Sequence, residues 1–189
     1  MTPGIALVTG AGARLGRAMA VALGEDGWKV AVHYHSSPEG ADETCDLIRK
    51  AGGTAEAIEA DLADEKARSS LIPGVADLLG GPVSLLVNSA STFHDDTALT
   101  HSREGWDAHM EPNLRAPIHL AQLMASDLPE GEHGLVINMI DQRVWKLNPV
   151  FFTYTLSKAA LWQATQTLAQ ALAPNVRVNG IGPGPTLAS

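Results

Sequence analysis

Six short apolar runs, each ending in turn residues and all but the last followed by a stretch with helical periodicity, constrain this chain more than any single motif. The runs cover residues 5–8, 30–34, 54–60, 83–87, 135–140 and 176–181. A strand with one wet face alternates apolar and polar side chains, whereas a strand buried on both faces reads as a continuous apolar run. Runs of the second kind, separated by helices, predict a doubly wound α/β fold, a parallel sheet covered on both faces. At 189 residues and 45% hydrophobic, the chain fits a single domain over 1–189 with a sizeable core. No repeat, low-complexity tract or linker divides it.

The helical stretches have readable ends. One runs through Leu15, Met19, Ala22 and Leu23 to Gly27, and a second starts at Ser37-Pro38 and stops at Gly52-Gly53. A short helix from Asp64 is expected to close at Pro73 and Gly74. Residues 94–101, HDDTALTH, read as a loop, and the helical region from Ser102 to Ala125 is interrupted by Pro112 and Pro117. Pro117 has no N–H for the carbonyl of Asn113, which leaves either a carbonyl able to hold a water near Lys158 or an ordinary kink. The last helix carries Tyr154 and runs to Pro174.

Charge and cysteine content exclude several function classes. The net charge of -8, without a dense Lys/Arg run, argues against a nucleic-acid binder, and the lone Cys45 permits neither an internal disulfide nor a cysteine zinc cluster. His33 and His35 share a strand face but lack a third ligand, so no metal is expected, and both are expected at a cofactor rim or on the surface. No apolar run approaches bilayer length and no leader is evident, so a soluble cytoplasmic protein without membrane partners is the default.

The candidate chemistry lies where the apolar runs end. Residues 9–16, TGAGARLG, form a glycine-rich strand-to-helix turn, where Gly10 and Gly12 let the backbone approach a ligand and the helix N-terminus offers N–H groups to a pyrophosphate. The spacing departs from the common dinucleotide fingerprint, with arginine at 14 and Gly16 one place late. After the second run comes HYHSS, with no acid before Glu39 to bind a ribose 2′-hydroxyl. Arg14, Ser36 and Ser37 suit a 2′-phosphate instead, which favours NADPH. Asp141 ends the fifth run. Tyr154 and Lys158, four residues apart, share a helix face, where the ammonium is expected to lower the phenol's pKa, although the spacing alone favours a solvated pair. Trp145 and Leu147 fit either a pocket wall or core packing.

Together these residues resemble the short-chain dehydrogenase/reductase family: TGAGARLG, Asp61-Leu62, NSAS at 88–91, Asn113, YTLSK at 154–158 and NGIGPGP at 179–185, in the family's order. The resemblance implies a Rossmann-type fold. It places Gly10, Arg14, Leu15, His35, Ser36, Ser37, Asp61, Leu62, Asn88, Ala90, Ser91, Lys158, Pro183 and Gly184 at the cofactor. It makes Asn113, Asp141, Tyr154 and Lys158 catalytic. Arg14 replaces a common glycine and Asp141 the common serine. With HYHSS and Phe93, these departures look like the pteridine reductase branch, which includes the dihydromonapterin and dihydrofolate reductase type.

In that branch the equivalent arginine touches cofactor phosphates and pterin, and the equivalent phenylalanine stacks on the pterin. Arg14, Ser91, Phe93, Asp141 and Tyr154 are thus the implied substrate contacts. Asn113 would anchor a relay water, and Lys158 would hold the nicotinamide ribose. The branch commonly has arginine at Ser36 and asparagine at Ser89. The family also continues beyond GPGPTLAS into a substrate lid and last strand, so the chain is expected to be incomplete relative to it, and a homotetramer or homodimer is implied. The alternatives are a carbonyl or 3-oxoacyl-thioester reductase and a non-catalytic NADP-binding protein.

Overall fold

A computed structural model describes residues 2–184. Six parallel strands form one sheet: β1 (Ile5–Val8), β2 (Lys29–Tyr34), β3 (Thr54–Glu59), β4 (Val83–Asn88), β5 (Gly134–Met139) and β6 (Val176–Ile181). Their spatial order is β3-β2-β1-β4-β5-β6. The chain starts in the middle, winds outward to β3, returns and winds the other way, so a crevice opens beyond the carboxyl ends of β1 and β4.

The strand pleat sorts the core. Ile5 and Leu7 face one layer with Leu86, Val136 and the helices α4 (Leu71–Leu79) and α6 (Ala116–Asp127). Ala6 and Val8 face the other, with Val30, Val32, Ala20 of α1 (Arg14–Glu25) and Cys45 and Ile48 of α2 (Pro38–Lys50). Both faces of the central strands β1, β2 and β4 are dry, which is why those sequences do not alternate, whereas the edge strands β3 and β6 do.

Two local features differ from the sequence expectations, and a third was not foreseen. The short helix α3 (Glu65–Ser69) is followed at once by α4, which contains Pro73 and Gly74 and ends only at Gly80, φ 76°. Pro73 lies in the first turn of α4, where backbone N–H groups have no intrahelical acceptor, so the missing donor costs nothing. Between α5 (Arg103–Met110) and α6 the chain does not simply kink; residues Glu111–Arg115 form a π-helical turn, with the Ala116 N–H reaching the Glu111 carbonyl. The extra residue rotates Asn113 inward, where it is fully buried. After β5 a 3₁₀ turn (Gln142–Val144) precedes α7 (Phe152–Ala171), whose lead-in residue Phe151 has φ 57°.

Candidate active site

The glycine turn is built by close approach. A Cβ on Gly10 (φ 63°) would lie 2.8 Å from the Ala90 Cα, and one on Gly16 would lie 2.2 Å from the Gly10 carbonyl oxygen. Arg14 has φ 51° and an exposed side chain. That left-handed conformation costs an L-residue about 1–2 kcal/mol, and it sets the Arg14 side chain at the cleft.

Buried side chains fasten the turn. The Gly10 N–H donates to His33 Nδ1 at 3.1 Å, so the neutral imidazole carries its proton on Nε2 and donates to the Ala60 carbonyl at 3.0 Å. Burial lowers the His33 pKa to about 4, and the Ala60 carbonyl only partly offsets that. Thr9 accepts the N–H groups of Ser89 and Ala90, both at 3.0 Å, tying the loop after β4 to the turn. Arg17 donates to the carbonyls of Gly12 and Gly40, at 2.6 and 3.2 Å.

A cleft of about 770 Å³ runs from this turn to the end of β6. It is lined by Gly10, Arg14, Leu15, His35, Asp61, Leu62, Ala90, Ser91, Phe93, Asp141, Tyr154, Lys158, Pro183 and Gly184, which the tertiary structure thus brings together from the ends of all six strands and from α7. Its size falls in the range of small-molecule and cofactor sites, about 300–1,000 Å³. His35 is exposed at the rim, with Nε2 3.9 Å from Asp61 Oδ2.

Four expected site residues do not line it. Ser36 is exposed beyond the end of β2, and Ser37 precedes α2, its carbonyl accepting from Ala41. Asn88 is buried and donates to Asn138 Oδ1 at 2.8 Å, and Asn138 in turn donates to Thr165 of α7 at 2.9 Å, a polar rung under the site. Asn113 pairs with both backbone groups of Thr92 (2.8 and 2.9 Å) and donates to Ser157 at 3.1 Å, clamping the Ser91–Phe93 segment to α7.

On the opposite wall Tyr154 and Lys158 are buried on one face of α7. The expected direct effect of Lys158 on Tyr154 is not seen. Lys158 Nζ donates to the Met139 carbonyl at 2.9 Å, 5.8 Å from the Tyr154 ring centre, and burial lowers its pKa to about 8. The Tyr154 hydroxyl donates to Asp141 Oδ2 at 2.9 Å. Burial, then the Asp141 charge and hydrogen bond, push the phenol pKa well above its ordinary value, outweighing the opposing effects of Arg143 and Ser91. Asp141 Oδ1 accepts the Arg143 N–H at 2.8 Å, which caps the 3₁₀ turn and orients the carboxylate.

Several residues at the site were not anticipated. Arg143 Nη1 lies 3.5 Å from Asp141 Oδ2, and its guanidinium carbon lies 5.3, 5.0 and 6.0 Å from the ring centres of Phe93, Phe151 and Tyr154. Phe93 stacks on Phe151 at 4.3 Å and meets Tyr154 edge-on at 4.7 Å, yet stays 46% exposed. The position of Arg143 two residues beyond Asp141 was the available signal. His33 was expected at a rim or surface and is instead a buried fastener of the turn, while His35 does sit at the rim. Trp145 and Leu147 are 64% and 79% exposed and belong to neither core nor cleft wall, with Trp145 lying edge-on to Trp162 at 5.3 Å. Among the described residues no cluster of three or more His, Cys, Asp or Glu could hold a metal, and no helix is long and apolar enough to cross a membrane.

A parallel sheet of this order, with a glycine turn at the end of β1 and a Tyr/Lys helix beside the end of β5, defines a short-chain dehydrogenase. The chain matches the short chain dehydrogenase family over residues 4–189 and belongs to it. It is 46% identical, with a TM-score of 0.94, to FolM alternative dihydrofolate reductase 1 from Brucella canis complexed with NADP, covering 100% of this chain and 74% of that one. It is 33% identical over 192 residues to glucose 1-dehydrogenase 2 of Bacillus subtilis (97% of this chain, 72% of the relative). It is 31% identical over 180 residues to the 3-oxoacyl-[acyl-carrier-protein] reductase FabG of Staphylococcus aureus strain Mu50 (95% and 73%).

Proposed function

We propose that this protein is an NADPH-dependent reductase of a pterin or dihydrofolate-type ring. The observation that carries this reading is the Tyr154–Asp141 hydrogen bond beside the exposed face of Phe93. A ketone reductase needs a neutral hydroxyl to bond a carbonyl oxygen, whereas a ring C=N needs a proton on nitrogen as hydride reaches carbon. A carboxyl group can relay or orient that proton and a serine cannot. The greater likeness to the Brucella dihydrofolate reductase than to the glucose dehydrogenase or FabG relatives supports the same reading.

The residues fit a phosphorylated dinucleotide. Gly10 leaves room only for backbone between the turn and Ala90, the N-terminus of α1 faces the cleft, and β2 ends without a carboxylate, close to Arg14 and His35. NADPH would supply the hydride. Arg14 and His35 would hold the 2′-phosphate side and Lys158 the nicotinamide ribose. Tyr154 stays protonated through neutral pH and serves as the proton source, with Asp141 passing or orienting the proton at the ring nitrogen. Arg14, Ser91 and Phe93 would hold the ring, and Asn113 would anchor a relay water besides clamping Thr92.

The test is NADPH consumption by the purified protein with dihydrobiopterin, dihydromonapterin or dihydrofolate, run against simple ketones, a 3-oxoacyl thioester and glucose with NADP. Turnover of the pterins or dihydrofolate is expected. Oxidation of NADPH by ketones or thioesters alone would replace this reading with the carbonyl reductase one.

A further inference from the structure

We propose that His109 is a positioning residue that holds the Phe93 wall of the cleft against the Tyr154 helix, and that it does so only as the neutral imidazole. It lies on α5, 1% exposed, outside the residues assigned to cofactor, proton transfer or substrate. Nε2 accepts the His94 N–H at 3.0 Å. Because that nitrogen must present its lone pair, the proton of the neutral ring sits on Nδ1, which donates to Thr153 Oγ1 at 2.7 Å. Thr153 Oγ1 donates in turn to Asp96 Oδ2, and the Thr153 N–H donates to Asp96 Oδ1 at 3.0 Å. The Phe152 N–H reaches the Asp96 carbonyl at 3.2 Å.

These bonds solve a local problem. α7 begins at Phe152 without a side-chain cap from its lead-in residue, so its first N–H groups need acceptors. Asp96, from the 94–101 loop, supplies them, and a carboxylate there also complements the helix dipole. His109 then links both ends of the device: His94, which follows Phe93, and Thr153, which precedes Tyr154. Phe93 and Tyr154 meet edge-on at 4.7 Å, and the His109 ring itself lies 6.2 Å from Tyr154.

A second proton on His109 would place an N–H donor against the His94 N–H donor and break that contact. The charged and titratable groups facing the ring are Asp96 and His94 from the loop and Tyr154 from α7. Burial lowers the His109 pKa below the ordinary imidazole value, although Asp96 and the Gly105 carbonyl pull it up. The arrangement is therefore intact at neutral pH and comes apart in acid, on the His94 side first.

Two measurements on the whole chain test this. In ¹⁵N-labelled protein, His109 should be the Nδ1–H tautomer at neutral pH, and the exchange protection of the His94 amide should fall as His109 titrates. The second rests on the pterin reading. With dihydrobiopterin and NADPH, KM should rise in acid by up to about tenfold per pH unit while kcat moves less, the slope of one titrating group. His109→Ala should raise KM about tenfold at every pH, as expected for losing a buried hydrogen-bonded link. The amide of His109→Gln can accept from His94 but takes up no proton, so this variant should recover most of that loss and show no acid rise. An unchanged acid limb in His109→Gln, or His94 protection indifferent to the titration, overturns the proposal. If the wild type does not use dihydrobiopterin, the pterin reading fails and the amide measurement alone decides this one.

Discussion

The hydroxyl of Tyr154 points at Oδ2 of Asp141, 2.9 Å away, so its one proton is committed to a carboxylate and not to open cleft. The Asp141 charge is the largest contribution after burial in holding the phenol protonated. Such a tyrosine holds its proton at neutral pH and is a weak acid, so it delivers only to a strongly basic centre such as a ring nitrogen receiving hydride. Too little phenolate is present for it to act as general base on an alcohol. Tyr154→Phe is expected to lower kcat by about 10²–10⁴-fold while NADPH binding, followed by fluorescence titration, stays near wild type. Undiminished turnover would remove Tyr154 from the proton path.

Asp141→Ser replaces the carboxylate with the hydroxyl common in the wider family. Loss of the adjacent charge should let the Tyr154 pKa fall toward its ordinary value, and activity should shift from ring C=N to carbonyl substrates. The ratio of kcat/KM for a dihydropterin over a ketone reads this out, and a ratio that does not fall counts against the role given to Asp141.

Arg14 holds a left-handed backbone that glycine adopts freely. Arg14→Gly should therefore stabilise the fold by about 1 kcal/mol, seen as a higher Tm, and should raise KM for NADPH and substrate. A lower Tm would mean that the guanidinium holds the turn together.

Lys158 is buried with its pKa lowered to about 8. Below about 8 both folded and unfolded chains bind the proton and the fold carries the whole penalty of a buried ammonium. Between about 8 and the unfolded value of roughly 10.4 the penalty is relieved as pH rises. Lys158→Met should therefore abolish turnover yet raise stability at neutral pH, by an amount on the order of 3 kcal/mol. Urea denaturation across this pH range measures both effects, and a destabilised variant would show that the Met139 contact outweighs desolvation.

His33 gives a pH dependence of the same sign in an acid window. Its folded pKa of about 4 lies below the unfolded 6.5, so the unfolded chain takes up a proton first. The stability His33 contributes is complete above pH 6.5 and is lost as pH falls toward 4, up to about 3 kcal/mol. His33→Gln should flatten that part of the denaturation profile, because its amide does not titrate.

The apolar runs and the glycine turn made the layers of the sheet legible, because burial on both faces erases strand alternation locally. Helix details were less legible. Pro73 looks like a terminator in sequence, but its effect depends on whether it falls in the first turn or the interior, and only the position of α4 decided that. Asn113 was recognisable as a candidate site residue, while its partners, Thr92 and Ser157, lie far away in sequence. The buried placement of Asn113 in the π-helical turn between α5 and α6 could not be read from the local sequence. Arg143 had only its place two residues beyond Asp141 to mark it, and Phe151 and His109 carried no local signature, since each matters through neighbours on other elements.

By itself the sequence determined the doubly wound sheet, the glycine turn and the presence of Asn113, Asp141, Tyr154 and Lys158, because periodicity and side-chain chemistry are properties of short stretches. Only the tertiary structure decided how those groups are wired. Lys158 is near enough to Tyr154 in sequence to suggest a direct partnership, but burial draws its ammonium to the Met139 carbonyl. The turn after β5 brings Asp141 to the phenol instead, and a proton's affinity is set by the charge and dehydration around it in space.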